Sequence, residues 1–78
     1  MSCFFFDLYD DVVVSDDEGQ DLPDLAAARI TAIKSARQIA CAQVLNGRLN
    51  LTHRIEVRDE SGSVVTTVLF GDVIKVTA

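Results

Sequence analysis

The chain has 78 residues, nearly half of them apolar, which is the composition of one small folded domain spanning residues 1–78 and not of a disordered chain. Its formal net charge of −5 argues against nucleic acid, because proteins that bind nucleic acid normally carry a basic face. The two cysteines, Cys3 and Cys41, stand in no zinc or disulfide spacing. We therefore expect reduced thiols, no metal or cofactor, and a cytoplasmic location.

The first predicted element is a β-strand from Cys3 to Tyr9. Its apolar run is interrupted at Asp7 and no basic residue precedes it, so it indicates neither a secretory signal nor a membrane span. Alternation places the residues of this strand on two faces, one with Phe4, Phe6 and Leu8 and the other with Cys3, Phe5, Asp7 and Tyr9. Residues 12–14, all valine, are predicted to return as the second strand of a hairpin.

Residues 10–24 hold seven of the twelve acidic residues and no basic residue. An EF-hand is excluded, because aligning Gly19 to its glycine position puts Val14 and Leu25 where acidic ligands are required. Turn and helix-cap chemistry explains most of these acids, and a weak Ca²⁺ or Mg²⁺ contact is a lesser alternative. Turn and cap chemistry does not explain why all these positions are acidic, because asparagine or serine would serve the same turns. A surface that meets a basic partner would explain it, with four candidate residues: Asp16, Asp17, Glu18 and Asp21.

A long helix is predicted from Asp24 to Leu45, with Asp24 as the preferred N-cap, Asp21 as the alternative, and the Asn-Gly pair at residues 46–47 as the stop signal. Its predicted apolar face is rich in alanine, which lets a helix lie close to a sheet. The residues of that face are Leu25, Ala32, Ile33, Ala36, Ile39, Ala40 and Val44.

Arg29 and Arg37 fall on or beside this apolar face of the helix. Either their methylene groups lie on the core with the guanidinium at its rim, or they form ion pairs with carboxylates such as Asp7 or Glu56. We predict that they fix the helix on the sheet through such pairs.

Two further strands follow the helix. Residues 53–59 alternate apolar and charged side chains, residues 59–62 form a turn ending in Gly62, and residues 63–70 return as a mostly β-branched strand. Residues 73–76 are considered for a short fifth strand. The predicted fold is α+β, a two-layer β-β-α-β-β arrangement with an antiparallel sheet of four or five strands and one long helix on one face.

One face of this sheet is predicted to lack a covering element. The helix is expected to cover the face with Phe4, Phe6 and Leu8, and apolar residues remain on the other. In so small a domain the commonest cover is a second copy of the chain. The predicted homodimer contact consists of Phe5, Tyr9, Val65 and Leu69.

Catalysis is not expected from this sequence. His53 is the only histidine and has no nucleophile or orienting acid on its own strand face, so we interpret it as capping the core. The cysteines have no basic neighbour that would activate them. An enzyme or ligand-binding protein using His53 remains the least favoured hypothesis.

The motifs FFFDLYD, DDEGQDLPDLAAARITAIKSAR and RIEVRDESGSVVTTVLF, in this order, closely resemble a family of small bacterial proteins classed as a domain of unknown function. The resemblance covers about residues 4–72 and implies a bacterial cytoplasmic protein of this fold, without an activity. A weaker similarity is to bacterial antitoxins, although we do not expect this chain to have the DNA-binding tail that such antitoxins often carry. Self-association is thus the first functional hypothesis, and an antitoxin-like or regulatory subunit that binds a basic protein is the second. No membrane partner is expected.

Overall fold

The computed structural model describes residues 1–77. The chain forms five strands and two helices, in the order β1 (Ser2–Tyr9), β2 (Val13–Val14), β3 (Gln20–Leu22), α1 (Leu25–Leu45), β4 (Arg54–Arg58), β5 (Val64–Leu69) and α2 (Phe70–Val73). The fold is α+β with an antiparallel sheet and one long helix, which confirms the predicted class.

The sheet runs β2-β1-β4-β5, and all of its pairings are antiparallel. Both β2 and β3 pair with β1, β2 at Leu8 and Tyr9 and β3 at residues 2–4. The two registers differ by only two residues, so β2 and β3 are two halves of one interrupted strand on the same edge of β1. β1 and β4 are therefore the central strands.

Helix α1 begins where the sequence predicts, because the Asp24 carboxylate accepts a hydrogen bond of 2.8 Å from the backbone N–H of Ala27. It ends at Leu45, where the N–H of Gly47 donates to the carbonyl of Val44 and the positive φ of Gly47, 76°, lets the N–H of Arg48 donate to the carbonyl of Gln43. The buried stripe of the helix consists entirely of alanines, namely Ala28, Ala32, Ala36 and Ala40. Short side chains bring the helix close to β4 and β5, where Ile55, Val57 and Val68 complete the core.

The predicted apolar face of α1 is buried along the middle of the helix but not at its two ends. Leu25 is 44% exposed and Val44 is 55% exposed, so neither belongs to the core as we predicted. Between these ends, the predicted Ala32, Ala36 and Ala40 are buried against the sheet, together with Ala28. Ile33 and Ile39 flank that stripe and are partly buried.

The fifth strand is not where the sequence suggested. It is β3, in a segment predicted as loop and helix entry, whereas Val73 belongs to the short helix α2 and residues 74–77 form no strand. Helix α2 forms because Phe70 is completely buried and its N–H donates to the carbonyl of His53. The next residue, Gly71, donates to the carbonyl of Leu51. These bonds turn the chain inward and away from the sheet.

Candidate functional site

The face of the sheet opposite α1 is the strongest candidate for a functional surface. We call it the open face, and it consists of Phe5, Asp7, Tyr9, Arg54, Glu56, Arg58, Val64, Thr67 and Leu69, as the strand registers and alternation place them. It combines aromatic, charged and apolar side chains across β1, β4 and β5. Neither α1 nor α2 lies over it among residues 1–77.

Two arginines of β4 stack on two aromatic rings of β1. Arg54 is paired with Tyr9 in the sheet, and its guanidinium carbon lies 4.2 Å from the ring centroid. Arg58 is paired with Phe5, at a corresponding distance of 5.1 Å. Such cation–π pairs hold the rings flat on the sheet and the arginine side chains extended across them.

Each of these arginines also has a carboxylate partner on the same face. Arg58 donates to Asp7 Oδ2 from Nε at 2.6 Å and to Asp7 Oδ1 from Nη2 at 3.1 Å. Arg54 Nε donates to Glu56 at 2.9 Å. Asp7 is buried, and the hydrogen bonds from Arg58 hold its pKa below the usual range despite that burial. The charges of the open face are thus neutralised within it.

Asp16 fills the gap between the two halves of the interrupted edge strand. Its Oδ2 accepts from the N–H of Phe6 at 3.0 Å, and its Oδ1 accepts from the N–H groups of Glu18 and Gly19. Its own N–H donates to Asp7, which joins it to the Asp7–Arg58 pair. Burial acts to raise the pKa of Asp16, but the three backbone donors outweigh it and lower that pKa.

The loop before β3 approaches β1 so closely that only glycine fits at position 19. Gly19 has φ of +73°, and a Cβ there would lie 2.6 Å from the sulfur of Cys3 and 3.0 Å from the ring of Phe5. Burial raises the pKa of the Cys3 thiol, and the nearby carboxylates of Asp21, Glu60 and Asp16 raise it further. A thiol held protonated in this way is a weak nucleophile.

The predicted interface residues do not all share one face. Phe5, Tyr9 and Leu69 lie on the open face, but Val65 packs against the core on the helix side. A bulge between Val57 and Arg58 in the pairing with β5 is the cause, since it shifts the alternation that the sequence suggested.

The four residues of the predicted acidic surface differ in their exposure. Asp17, Glu18 and Asp21 are exposed, whereas Asp16 is partly buried and its carboxylate accepts bonds from the backbone. Elsewhere in the acidic stretch, Asp10 accepts from the N–H of Val12 in a turn. Turn and cap chemistry therefore accounts for some of these acids and leaves the three exposed residues unexplained.

The predicted ion pairs have different partners from those expected. Asp7 pairs with Arg58 and Glu56 with Arg54, while Arg29 and Arg37 lie on the helix side of the sheet. Arg29 Nη1 donates to Thr66 Oγ1 at 3.1 Å, and Arg37 Nε donates to the carbonyl oxygen of Val73 at 3.0 Å. These two arginines do join the helix to its neighbours, but through neutral oxygens.

A solvent-open groove of about 1250 Å³ lies at the other end of the molecule, between the β1–β2 turn and the loop after α1. Its deepest residue, His53, is buried and lies 3.1 Å from Gln43 Nε2 and 3.6 Å from Asp11 Oδ1. The ring also makes an edge contact with Phe70. No serine, threonine, cysteine or lysine lines the groove among the described residues, so His53 has no nucleophile to activate there.

Arg54 and Arg58 are the residues that the sequence analysis did not assign to a site. Their alternation with Ile55 and Val57 placed them away from the core, which was an available signal. Their aromatic partners depend on the β1–β4 register, which brings together residues about fifty positions apart. That register is not readable from either strand alone.

Two further features of residues 1–77 bear on the function. None of their helices combines the length and the hydropathy needed to cross a bilayer. No three histidine, cysteine or acidic side chains among them converge as a metal-binding group.

Residues 3–71 match the model of a protein family described as a domain of unknown function, DUF6894. The match covers β1 apart from Ser2, the other four strands and α1. No curated protein and no solved structure matches the chain.

Proposed function

We infer the function of this chain, which belongs to the DUF6894 family, from its own geometry, because the family description assigns no activity. We propose a non-enzymatic protein-interaction module that self-associates through the open face. The contact would consist of Phe5, Tyr9 and Leu69 together with Arg54 and Arg58. Tyrosine and arginine are the residue types that most often dominate binding energy at protein interfaces. The two free cysteines fit a reducing compartment, and we propose the bacterial cytoplasm.

The observation that carries this proposal is the internal pairing of charge on the open face. Burying an unpaired charge in an interface costs several kcal/mol. Arg58 and Arg54 already have their carboxylates, and their guanidinium planes cover aromatic rings. A second copy can cover this face without leaving either arginine unpaired, and the same patch on both copies satisfies a twofold interface.

The size of the face predicts how strong this association is. Three strands at the usual spacing, five residues long, offer on the order of 250 Å² per partner. Two such faces bury less than the roughly 1,200 Å² typical of stable complexes. The homodimer should therefore be weak and should dissociate on dilution.

Sedimentation velocity from micromolar to millimolar concentration tests the proposal. The wild-type chain should shift from monomer to dimer, and Leu69→Glu should abolish the shift because it places a carboxylate without a partner in the contact. Ile30→Glu is the matched control, since Ile30 is 55% exposed on the outer surface of α1. A wild-type monomer at millimolar concentration, or equal association of all three chains, would refute the homodimer.

A second candidate is an antitoxin-like or regulatory subunit that binds a basic protein. Asp17, Glu18 and Asp21 favour it, because they are exposed and the fold does not use their carboxylates as it uses that of Asp16. Charge complementarity mainly speeds association and makes it sensitive to salt.

The test of this candidate must leave Asp16 intact, since Asp16 holds the sheet edge together. Co-purification at low salt should recover a basic protein with the wild-type chain and lose it with the combined variant Asp17→Asn/Glu18→Gln/Asp21→Asn. Asp72→Asn, at an exposed acid in α2, is the control that should retain it. Equal recovery with all three chains would exclude the acidic surface.

A further inference from the structure

Strand β5 forms an unpaired edge of the sheet. It pairs with β4 on one side, and on its other side no backbone N–H or carbonyl of Val64–Leu69 bonds to any group within residues 1–77. Its sequence, VVTTVL, contains neither proline nor a charged residue. Such an edge presents a row of backbone donors and acceptors to an extended segment of another chain. The irregular pairing near Val64 leaves Thr66 to Leu69 as its regular part.

Two positive charges lie beside this edge without a carboxylate partner. Arg29 contacts Thr66 of β5, and Arg37 contacts Val73, just beyond the end of the strand. Both arginines are exposed, and neither takes part in any ion pair among residues 1–77. The edge is thus positively charged on its helix side, although the whole chain carries −5.

The spacing of the two arginines matches that of side chains along a strand. Eight residues of helix separate Arg29 from Arg37, which is about 12 Å along the axis. Four residues of an extended chain cover about 13 Å, and residues four apart point to the same face. Acids at positions i and i+4 of an added strand would therefore both point toward α1, one toward each arginine.

We propose that the free edge of β5 binds an extended acidic segment of a partner protein, in which two carboxylates four residues apart pair with Arg29 and Arg37. A second copy of β5 does not fit this edge as well, because a twofold pairing would bring the same uncompensated arginines toward each other. This edge shares Thr67 and Leu69 with the open face, but it uses their backbone groups and not their side chains, so its occupancy does not require the homodimer.

The test uses the whole chain, labelled with ¹⁵N, and the synthetic heptapeptide Thr-Glu-Val-Thr-Val-Glu-Thr with blocked ends. Amide resonances of Thr66 to Leu69 should shift on titration and report saturation. Arg29→Gln/Arg37→Gln should weaken binding about fivefold or more, the magnitude expected for two exposed ion pairs. Lys34→Gln, which removes an exposed charge elsewhere on α1, should change it less than twofold.

Two control peptides separate this proposal from nonspecific attraction. One replaces both glutamates by glutamine. The other moves the second glutamate one position closer, so that it points to the opposite face and one of the two ion pairs is lost. The glutamine peptide should bind as weakly as the original heptapeptide binds the double-arginine variant, and the shifted peptide should bind with intermediate strength. The proposal is overturned if the original heptapeptide causes no shifts in β5 or if all three peptides bind equally. It is also overturned if the same resonances shift with the concentration of the Leu69→Glu chain alone, because that chain lacks the open-face homodimer and the shifts would identify a second copy as the occupant of the edge.

Discussion

At the scale of single residues, the buried carboxylate of Asp7 organises the open face. It accepts two hydrogen bonds from Arg58 and one from the N–H of Asp16. Through these bonds one side chain connects both central strands to the interrupted edge strand. Asp7 therefore has a structural role as well as a place in the proposed contact.

We predict that Asp7→Asn lowers the free energy of unfolding by about 2 kcal/mol, because hydrogen bonds to a charged group contribute about that much and the amide cannot accept all three. Urea denaturation followed by circular dichroism measures the loss. Glu56→Gln is the control, since the Glu56–Arg54 pair is more exposed and exposed pairs contribute less than about 1 kcal/mol. Equal losses in the two variants would contradict the role given to Asp7.

At the scale of elements, the interrupted edge strand depends on the tight loop that separates its halves. Asp16 replaces the missing strand hydrogen bond at Phe6, and Gly19 lets the chain return to β1 with a left-handed residue. The segment before β3 is fixed by these two residues and not by strand propensity.

Gly19→Ala should destabilise the protein more than Gly62→Ala. Both glycines have positive φ, so each substitution costs about 1 kcal/mol in backbone strain. At Gly62 the added Cβ meets open space, whereas at Gly19 it would lie 2.6 Å from the sulfur of Cys3 and force a shift that costs about 1–3 kcal/mol more. Thermal and urea unfolding of the two variants measure the difference. A Gly19→Ala chain as stable as Gly62→Ala would show that the loop can move away from β1 at little cost.

Five elements with a local signal, namely β1, β2, α1, β4 and β5, could be predicted from the sequence, whereas β3 and α2 could not. β1, β4 and α1 have clear alternation or capping signals, and the structure has all three. β3 was missed because Gln20–Leu22 has no β-branched residue and becomes a strand only by pairing with β1. The predicted sheet face of Val65 was wrong because a β-bulge shifts the alternation of β5, and a bulge depends on how two strands fit together.

At the scale of the whole molecule, the sequence predicted an uncovered sheet face but not its chemistry. Phe5 and Tyr9 suggested an apolar surface, whereas in the fold two arginines cover their rings and two carboxylates neutralise the arginines. The chemistry beside the edge of β5 could not be predicted from the sequence either. Arg29 and Arg37 were recognised as unusual on an apolar helix, but their neutral partners depend on where β5 and α2 lie.

The stability of the whole domain should fall in acid. The pKa values of Asp7, Asp16 and Asp59 are all held below the reference value of 3.8, by Arg58 at Asp7, by backbone N–H groups against burial at Asp16, and by Ser61 at Asp59. A carboxyl group whose pKa is lower in the folded state binds protons less readily than in the unfolded chain. Its stabilisation is therefore complete above pH of about 4 and is lost as the pH falls through the lowered values.

Urea midpoints measured from neutral pH down to strong acid should stay level and then decline below pH of about 4. The decline should be shallower in Asp7→Asn, because that chain no longer has one of the three titrating groups, and the two curves should converge at the acid end, where Asp7 of the wild type is protonated. Parallel curves that differ by the same amount at every pH would mean that Asp7 stabilises the fold by its shape and not by its charge. In that case the pairing of charge within the open face would also lose its main support.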